Sequence, residues 1–379
     1  MTTFPLVQND ILKPFLKILT DYPRDDLASD EVHQSLIAAC ATRNIDSFAL
    51  DVGAIPSMDT VVAGFKTAQL ACNSQLGYGH IIHTNCAPRR NMVSKKSKGE
   101  GIVIGMLNNG AALVTVNSGH SLAPFYDQIK SGEAVFFSTH VPDAGSQFRS
   151  RDYFPAALAD LAVFLTDKYA QLGADKINAL LSENKMSEIL DGFALLNAGL
   201  SIDDFSDIAT ASILYIDNFG NIKLNLSHDD LLELYPSGTE LVLSIAGTVS
   251  HATVGEGGFS QGEGILALTR GSSGWGDNRF TEIFLRGGTA AGVFPRIQTG
   301  EQVLAVPAKT LQKTISILRN SGLNTLGNFD LYMLSEAKLM DILAHKGLIK
   351  DGFNSTSLQQ HIDQGDLIDV LSNAQTRAA

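Results

Sequence analysis

The stretch ILYIDNFGNIKLNL, residues 213–226, changes character twice within a few positions. Ile213, Leu214, Tyr215 and Ile216 are aliphatic or aromatic with no breaker among them, which predicts a strand. Asp217, Asn218, Gly220 and Asn221 then surround one aromatic, Phe219. Alternation resumes with Ile222 and Leu224 on one side and Lys223 and Asn225 on the other. Two readings of this corner stand side by side. In one it binds a ligand, with Asp217 and Asn221 supplying acceptors and a donor and Phe219 a flat apolar surface. In the other it is an Asx-type hairpin turn, with Gly220 setting the backbone and Phe219 in the core. Both place a strand on each side. Residues 211–295 continue in the same manner, strands with glycine-rich turns and little helix, and read as an all-β domain.

Upstream the pattern differs. Residues 15–20 form a short apolar run ending at Asp21 and predict a first strand. Val32, Leu36, Ile37 and Cys40 share a helical face, with Ser29 or Asp30 as candidate caps. Strands are expected at 48–52, 79–84, 102–107 and 111–116, with a helix at 59–70. Asn108, Asn109 and Gly110 between two apolar runs signal a hairpin. Helical spacing follows at 156–169, with shorter helices at 177–181 and 186–190. The expected fold is an α/β N-terminal domain with a mostly parallel layered sheet (1–200), a β-barrel-like or β-sandwich domain (201–297) and a C-terminal helical extension (298–379). In that extension Pro307 precedes a helical run at 310–318, and further runs follow at 331–346 and 358–371.

The chain has 379 residues, 44% hydrophobic and 18% charged, enough apolar material for more than one core. A net charge of −12 argues against wrapping nucleic acid, and the most basic run, Lys95, Lys96, Ser97 and Lys98, is too short for a basic groove. A helix–turn–helix reading of the C-terminal helices meets the same objection. Three cysteines, Cys40, Cys72 and Cys86, give no disulfide framework and suit a reducing, cytoplasmic setting. No secretory signal and no run of 18 apolar residues is read, so no membrane association is expected.

Polar residues gather where parallel strands should end, the usual place for a site in such sheets. Asp21 follows the first strand; Asn85, Cys86, Arg89 and Arg90 follow the third; Asn117, Ser118 and Gly119 follow the fifth. The segment 146–152, SQFRSRD, opens the helical region. Arg89 and Arg90 are suited to holding a carboxylate. His80, His83 and Cys86 recur every three residues, but a strand turns His80 and His83 to opposite faces and no carboxylate is suitably spaced, so no metal is expected. The phosphate loop, the dinucleotide fingerprint and the nucleophile elbow are absent, GSSGWG at 271–276 included.

Together these segments resemble the S-adenosylmethionine (SAM) hydroxide adenosyltransferases and their fluorinating and chlorinating relatives. YIDNFGNIKLNL is similar to that family's Ile-Asp-x-Phe-Gly-Asn stretch. LTRGSSGW and FTEIFLRGGTAAGVF resemble its asparagine-serine-x-glycine strand and closing small-residue segment, and SQFRSRDYFPAALADLA its phenylalanine–arginine–acid helix start. LTDY is similar to Thr-Asp-Phe-Gly, and VTVNSG stands where Pro-Asp-Asn-Gly is usual. The resemblance covers roughly residues 15–297.

It implies that Asp21 holds ribose hydroxyls, that Asp217 and Asn221 bind the amino-acid end of SAM with Phe219 packing nearby, and that Asn117 and Ser273 contribute to the ligand site. Ser150 falls where halogenating members hold a halide. Sites between subunits of a homotrimer are implied, with SAM as substrate or ligand and no separate cofactor. The water-activating set differs: Asn85 stands for an aspartate, Arg89 or Arg90 must supply the arginine, and Arg149 replaces a histidine. Neither an amide nor a guanidinium acts as a base at neutral pH. Three outcomes are therefore carried forward. The chain is a hydrolase giving adenosine and methionine, a SAM-cleaving enzyme using another nucleophile, or a non-catalytic SAM- or adenosine-binding sensor or scaffold. An α/β protein unrelated to SAM is the remaining reading.

Overall fold

Two short paired strands, β1 (Val7–Gln8) and β2 (Ile11–Leu12), lead into β3 (Phe15–Thr20), whose bounds match the apolar run that predicts it. The computed structural model describes residues 7–8, 11–45, 48–88, 101–139, 146, 148–326 and 329–372. The chain divides into two units, Met1–Asp207 and Ile208–Ala379.

In the first unit β3 is followed by α1 (Leu27–Thr42), β4 (Ala49–Ala54), α2 (Thr60–Cys72) and β5 (His80–Asn85). The cap of α1 is Asp26, which accepts from the Ala28 N–H at 2.8 Å. Ser29 and Asp30 lie instead within the first turn, where Asp30 still complements the helix dipole. Asp59 caps α2 by accepting from Val62 N–H at 2.9 Å. The hairpin pairs β6 (Gly101–Leu107) with β7 (Ala112–Asn117), and Gly110 adopts φ 91° where a Cβ would meet the Tyr78 backbone. After α3 (Tyr126–Lys130) and β8 (Ala134–Thr139) come α4 (Arg149–Asp152) and α5 (Phe154–Ser182). The predicted helices at 156–169 and 177–181 lie on either side of Gly173, whose non-helical φ 73° and ψ 164° divide α5 into two helical segments. Then come α6 (Met186–Leu190) and β9 (Leu196–Gly199).

The strand order is β4-β3-β5-β7-β6-β8-β9. The first four are parallel and the last three add antiparallel. From β3 the chain crosses to β4 on one side, and from β5 the sheet grows on the other. The crevice between the carboxyl ends of β3 and β5 is therefore the topological switch point. The core on one face joins Leu16, Ile18 and Ile81 to Leu36 of α1 and Leu158 and Leu161 of α5.

The second unit is an all-β half-barrel sheet carrying a helical extension. It contains β10 (Ile213–Ile216), β11 (Ile222–Ser227), α7 (His228–Leu234), β12 (Glu240–Ile245), β13 (Thr248–Val254), β14 (Leu266–Trp275), β15 (Asn278–Leu285), α8 (Ala290–Val293) and β16 (Leu304–Pro307). The order is β10-β11-β15-β14-β13-β12-β16, antiparallel except for β13 beside β14. Pro307 directly precedes α9 (Ala308–Asn320). A two-stranded pair, β17 (Thr325–Leu326) and β18 (Phe329–Asp330), precedes α10 (Glu336–His345), α11 (Thr356–Gln364) and α12 (Leu367–Ser372). The helical pattern at 358–371 is broken by Gly365, which caps α11 in the left-handed conformation. Leu311, Leu343, Leu358 and Leu371 of these helices bury against Val242 and Val306 of the sheet, so the extension shares a core with the second unit. Among the described residues no helix is long and apolar enough to cross a membrane.

Candidate functional site

The switch-point crevice of the first unit collects Asp21, Tyr22, Asn85 and Ser150. Asp21 and Tyr22 follow β3, Asn85 ends β5, and Ser150 comes from α4. Pairing of Thr20 with Asn85 brings the two strand ends level. The Asn85 amide donates to Ser150 Oγ at 2.5 Å, and both side chains are buried. Asp21 N–H donates to the Asn85 carbonyl at 3.3 Å. The Asp21 carboxylate accepts from Met58 N–H at 3.1 Å, and Ser57 Oγ donates to the Asp21 carbonyl at 3.1 Å. Met58 holds a positive φ of 62°, a conformation costly for a side chain of its size. The Tyr22 ring meets Phe148 edge-on at 6.2 Å. Burial pushes the Tyr22 phenol above its ordinary value, while its neighbours Ser150 and Asn85 pull the other way. Oη nevertheless has no hydrogen-bond partner among the described residues.

Of the other expected residues, Asn117 ends β7 on the same sheet edge, with its amide given to the Asp204 carbonyl at 2.9 Å. Arg149 opens α4 and is half-buried. Arg89 and Arg90 lie outside the described residues.

The histidines of β5 are separated by the sheet, as their spacing requires. His80 Nδ1 pairs with Ser74 Oγ at 2.7 Å, whereas His83 Nδ1 meets the Val114 carbonyl at 2.8 Å and its ring lies 4.5 Å from that of Phe154. Burial lowers the pKa of each to about 4, with Lys17 adding to the effect at His80 and the Val114 bond opposing it at His83. Among the described residues no group of three His, Cys, Asp or Glu could hold a metal ion.

In the second unit the DNFGN corner is both a turn and an exposed platform. Asp217 Oδ1 accepts from Phe219 N–H at 2.9 Å and Asn221 N–H at 3.0 Å, an Asx-type closure. Its Oδ2 accepts from Asn221 Nδ2 and from Lys223 Nζ, each at 3.1 Å. Lys223 also pairs with Glu282 of β15, which faces it across the ladder. Alternation does turn Lys223 away from Ile222 and Leu224, yet Glu282 and Asp217 close over it and leave it buried. Phe219 is 80% exposed rather than in the core. Burial raises the Asp217 pKa, but the Asn221 N–H and Lys223 outweigh it and leave the carboxyl below its ordinary range. Ser273 is buried on β14, beside a bulge in the pairing with β15.

Gly220 sets the corner at φ 79°, and a Cβ there would lie 1.9 Å from Thr289 Oγ1. Gly220→Ala should therefore cost about 2 kcal/mol, part from the left-handed backbone and part from the clash. Urea unfolding followed by fluorescence of Trp275 measures this. Adding Thr289→Ala should restore the clash portion, and an unchanged midpoint in the single variant would contradict the geometry.

No family model matches the chain, and no curated protein does. The structure of an uncharacterized conserved protein from Thermotoga maritima is similar, with TM-score 0.52 and 14% identity over 77% of this chain and 100% of that one. A conserved hypothetical protein from Thermus thermophilus aligns with TM-score 0.48 and 17% identity over 78% of this chain and 100% of that one. At such identity the Thermotoga likeness speaks to the fold alone.

Proposed function

We propose that the chain binds S-adenosylmethionine and promotes attack of water on its C5′ carbon, releasing adenosine and methionine. The observation that carries this reading is the buried Asn85–Ser150 pair beside Asp21 in the switch-point crevice. The sequence resemblance assigns ribose binding to Asp21 and the holding of a nucleophile to Ser150. The second unit supplies independent support. Its corner joins two carboxylates, Asp217 and Glu282, to one ammonium, Lys223, beside the exposed ring of Phe219. An excess of negative charge next to a flat apolar surface suits a cationic ligand with an aromatic base, which SAM is. A homotrimer, as the resemblance implies, and a cytoplasmic setting for three cysteines that form no disulfide complete the proposal.

The chemistry asks little of the protein. The sulfonium makes methionine a good leaving group, so the site must align water with C5′ opposite sulfur and limit its hydration. Asn85 and Ser150 hydrogen-bond rather than deprotonate, so the rate should rest on positioning and the turnover should be slow. The absence of a base from this pair also favours a second reading, a binding protein that senses SAM or adenosine and returns it unchanged.

Calorimetry with SAM, run beside chromatographic detection of adenosine and methionine, separates them. Binding with equimolar release of both products is the expected result. Binding without products selects the sensor. Products carrying another group at C5′ select a different nucleophile, and lack of binding removes the proposal.

A further inference from the structure

Tyr22 stands out among the residues of the crevice. Its hydroxyl is buried yet has no hydrogen-bond partner among the described residues, a state that is destabilising when nothing compensates it. Phenylalanine would fill the same space without that cost. Packing therefore does not account for the hydroxyl. Its surroundings do. Tyr22 directly follows Asp21, whose N–H binds the Asn85 carbonyl, its ring packs edge-on against Phe148 two positions before Ser150, and both Ser150 and Asn85 are near enough to its phenol to oppose the effect of burial. The Asn85 amide donates to Ser150 Oγ, which leaves the serine a second lone pair and its own proton. Two hydroxyls of unspent capacity thus share one buried corner beside Asp21.

We infer that the Tyr22 hydroxyl is a catalytic group that, with Ser150, accepts hydrogen bonds from the attacking water and turns a water lone pair toward C5′. The inference rests on the proposed hydrolytic reading. In the step, the water oxygen forms a bond to C5′ while the C5′–sulfur bond breaks, its electron pair going to sulfur to give neutral methionine thioether. The surplus proton leaves to solvent along the hydroxyl pair. Each hydroxyl takes up one proton and gives up another, so both end unchanged. Because burial keeps Tyr22 in its phenol form, the group acts as a relay and not as a stored base.

Tyr22→Phe tests this in the full chain. The expected result is a turnover number lower by roughly 10²-fold, with KM and the calorimetric affinity for SAM within about twofold of the parent and no loss of thermal stability. Ser150→Ala added to Tyr22→Phe should lower turnover much less than it does alone, since the relay is already broken. Parental turnover in Tyr22→Phe would overturn the inference and leave the hydrolytic reading standing. A parallel loss of affinity would also overturn it, making Tyr22 a binding group. A parent chain that binds SAM without releasing products would overturn both together.

Discussion

Lys223→Met is expected to destabilise the second unit by about 3–5 kcal/mol at neutral pH, the usual cost of stranding buried charge. Lys223 is 7% exposed at its side chain and sits between Asp217, 3.1 Å away and 20% exposed, and Glu282, 12% exposed. Methionine fills a similar volume but leaves two like charges facing each other in a place that water reaches poorly. The sign of the pH dependence separates this from lost packing. In the parent, Asp217 has a depressed pKa, so it contributes stability that is present above the unfolded carboxylate range and lost as pH falls through the folded value. Without Lys223 the share supplied by its ammonium is gone, the Phe219 and Asn221 bonds alone hold the carboxylate, and protonation then relieves the repulsion from Glu282. The deficit should therefore be largest near pH 7 and shrink toward pH 4. Trp275, the single tryptophan, lies on β14 against Phe280 and reports unfolding of this unit. Lys223→Met with Glu282→Gln should recover part of the loss. A deficit below about 1 kcal/mol, or one independent of pH, would mean the triad is solvated and contributes little.

The same lysine shows where sequence reading stops. Alternation along the NIKLNL strand is a local property, so the facing of Lys223 away from the Ile222–Leu224 side was legible from the residues. Its burial was not, because the partner Glu282 lies 59 positions away on another strand. The first unit repeats the lesson. The run FLKILT is bounded by breakers and gives its strand directly, and Asn108–Gly110 gives its hairpin, since turn chemistry is local. Asp21, Asn85 and Ser150 were nameable as residues at strand and helix ends. That Asn85 and Ser150 touch depends on α4 crossing the end of β5, which no spacing encodes. Tyr22 carries no signal in the sequence, because a tyrosine after a strand reads as ordinary packing; its unsatisfied hydroxyl is a three-dimensional fact. Phe219 shows the converse, since an aromatic within a polar turn was open to either the core or the surface, and the Asx closure by Asp217 holds it outward.

Acid should destabilise the first unit already above the range in which carboxylates titrate. His80 and His83 are 6% and 0% exposed, and burial holds both near a pKa of about 4, against 6.5 when free. Between those values the unfolded chain binds more protons than the folded one, so stability rises with pH and is lost on acidification. At pH 5 each histidine should cost about 2 kcal/mol relative to pH 7.5, about 4 kcal/mol together. Urea unfolding by far-ultraviolet circular dichroism at both pH values measures the difference. His228 of the second unit is shifted the same way by its burial, so the effect is assigned by substitution and not by the probe alone. His83→Phe keeps an aromatic ring against Phe154 but leaves the Val114 carbonyl without its Nδ1 partner, at a cost of about 1–2 kcal/mol near pH 7.5. It should also remove about half of the first unit's acid sensitivity, so parent and variant converge as pH falls. Equal pH slopes in the two would show that His83 can be protonated without opening the core. The outcome also bears on turnover. At saturating SAM, where ribose binding by Asp21 no longer limits the rate, and since Asn85 and Ser150 do not titrate in this range, an acid limb in SAM hydrolysis should follow the unfolding curve and shift with it in His83→Phe. An acid limb that stays in place would instead reveal a titrating group that takes part in the reaction.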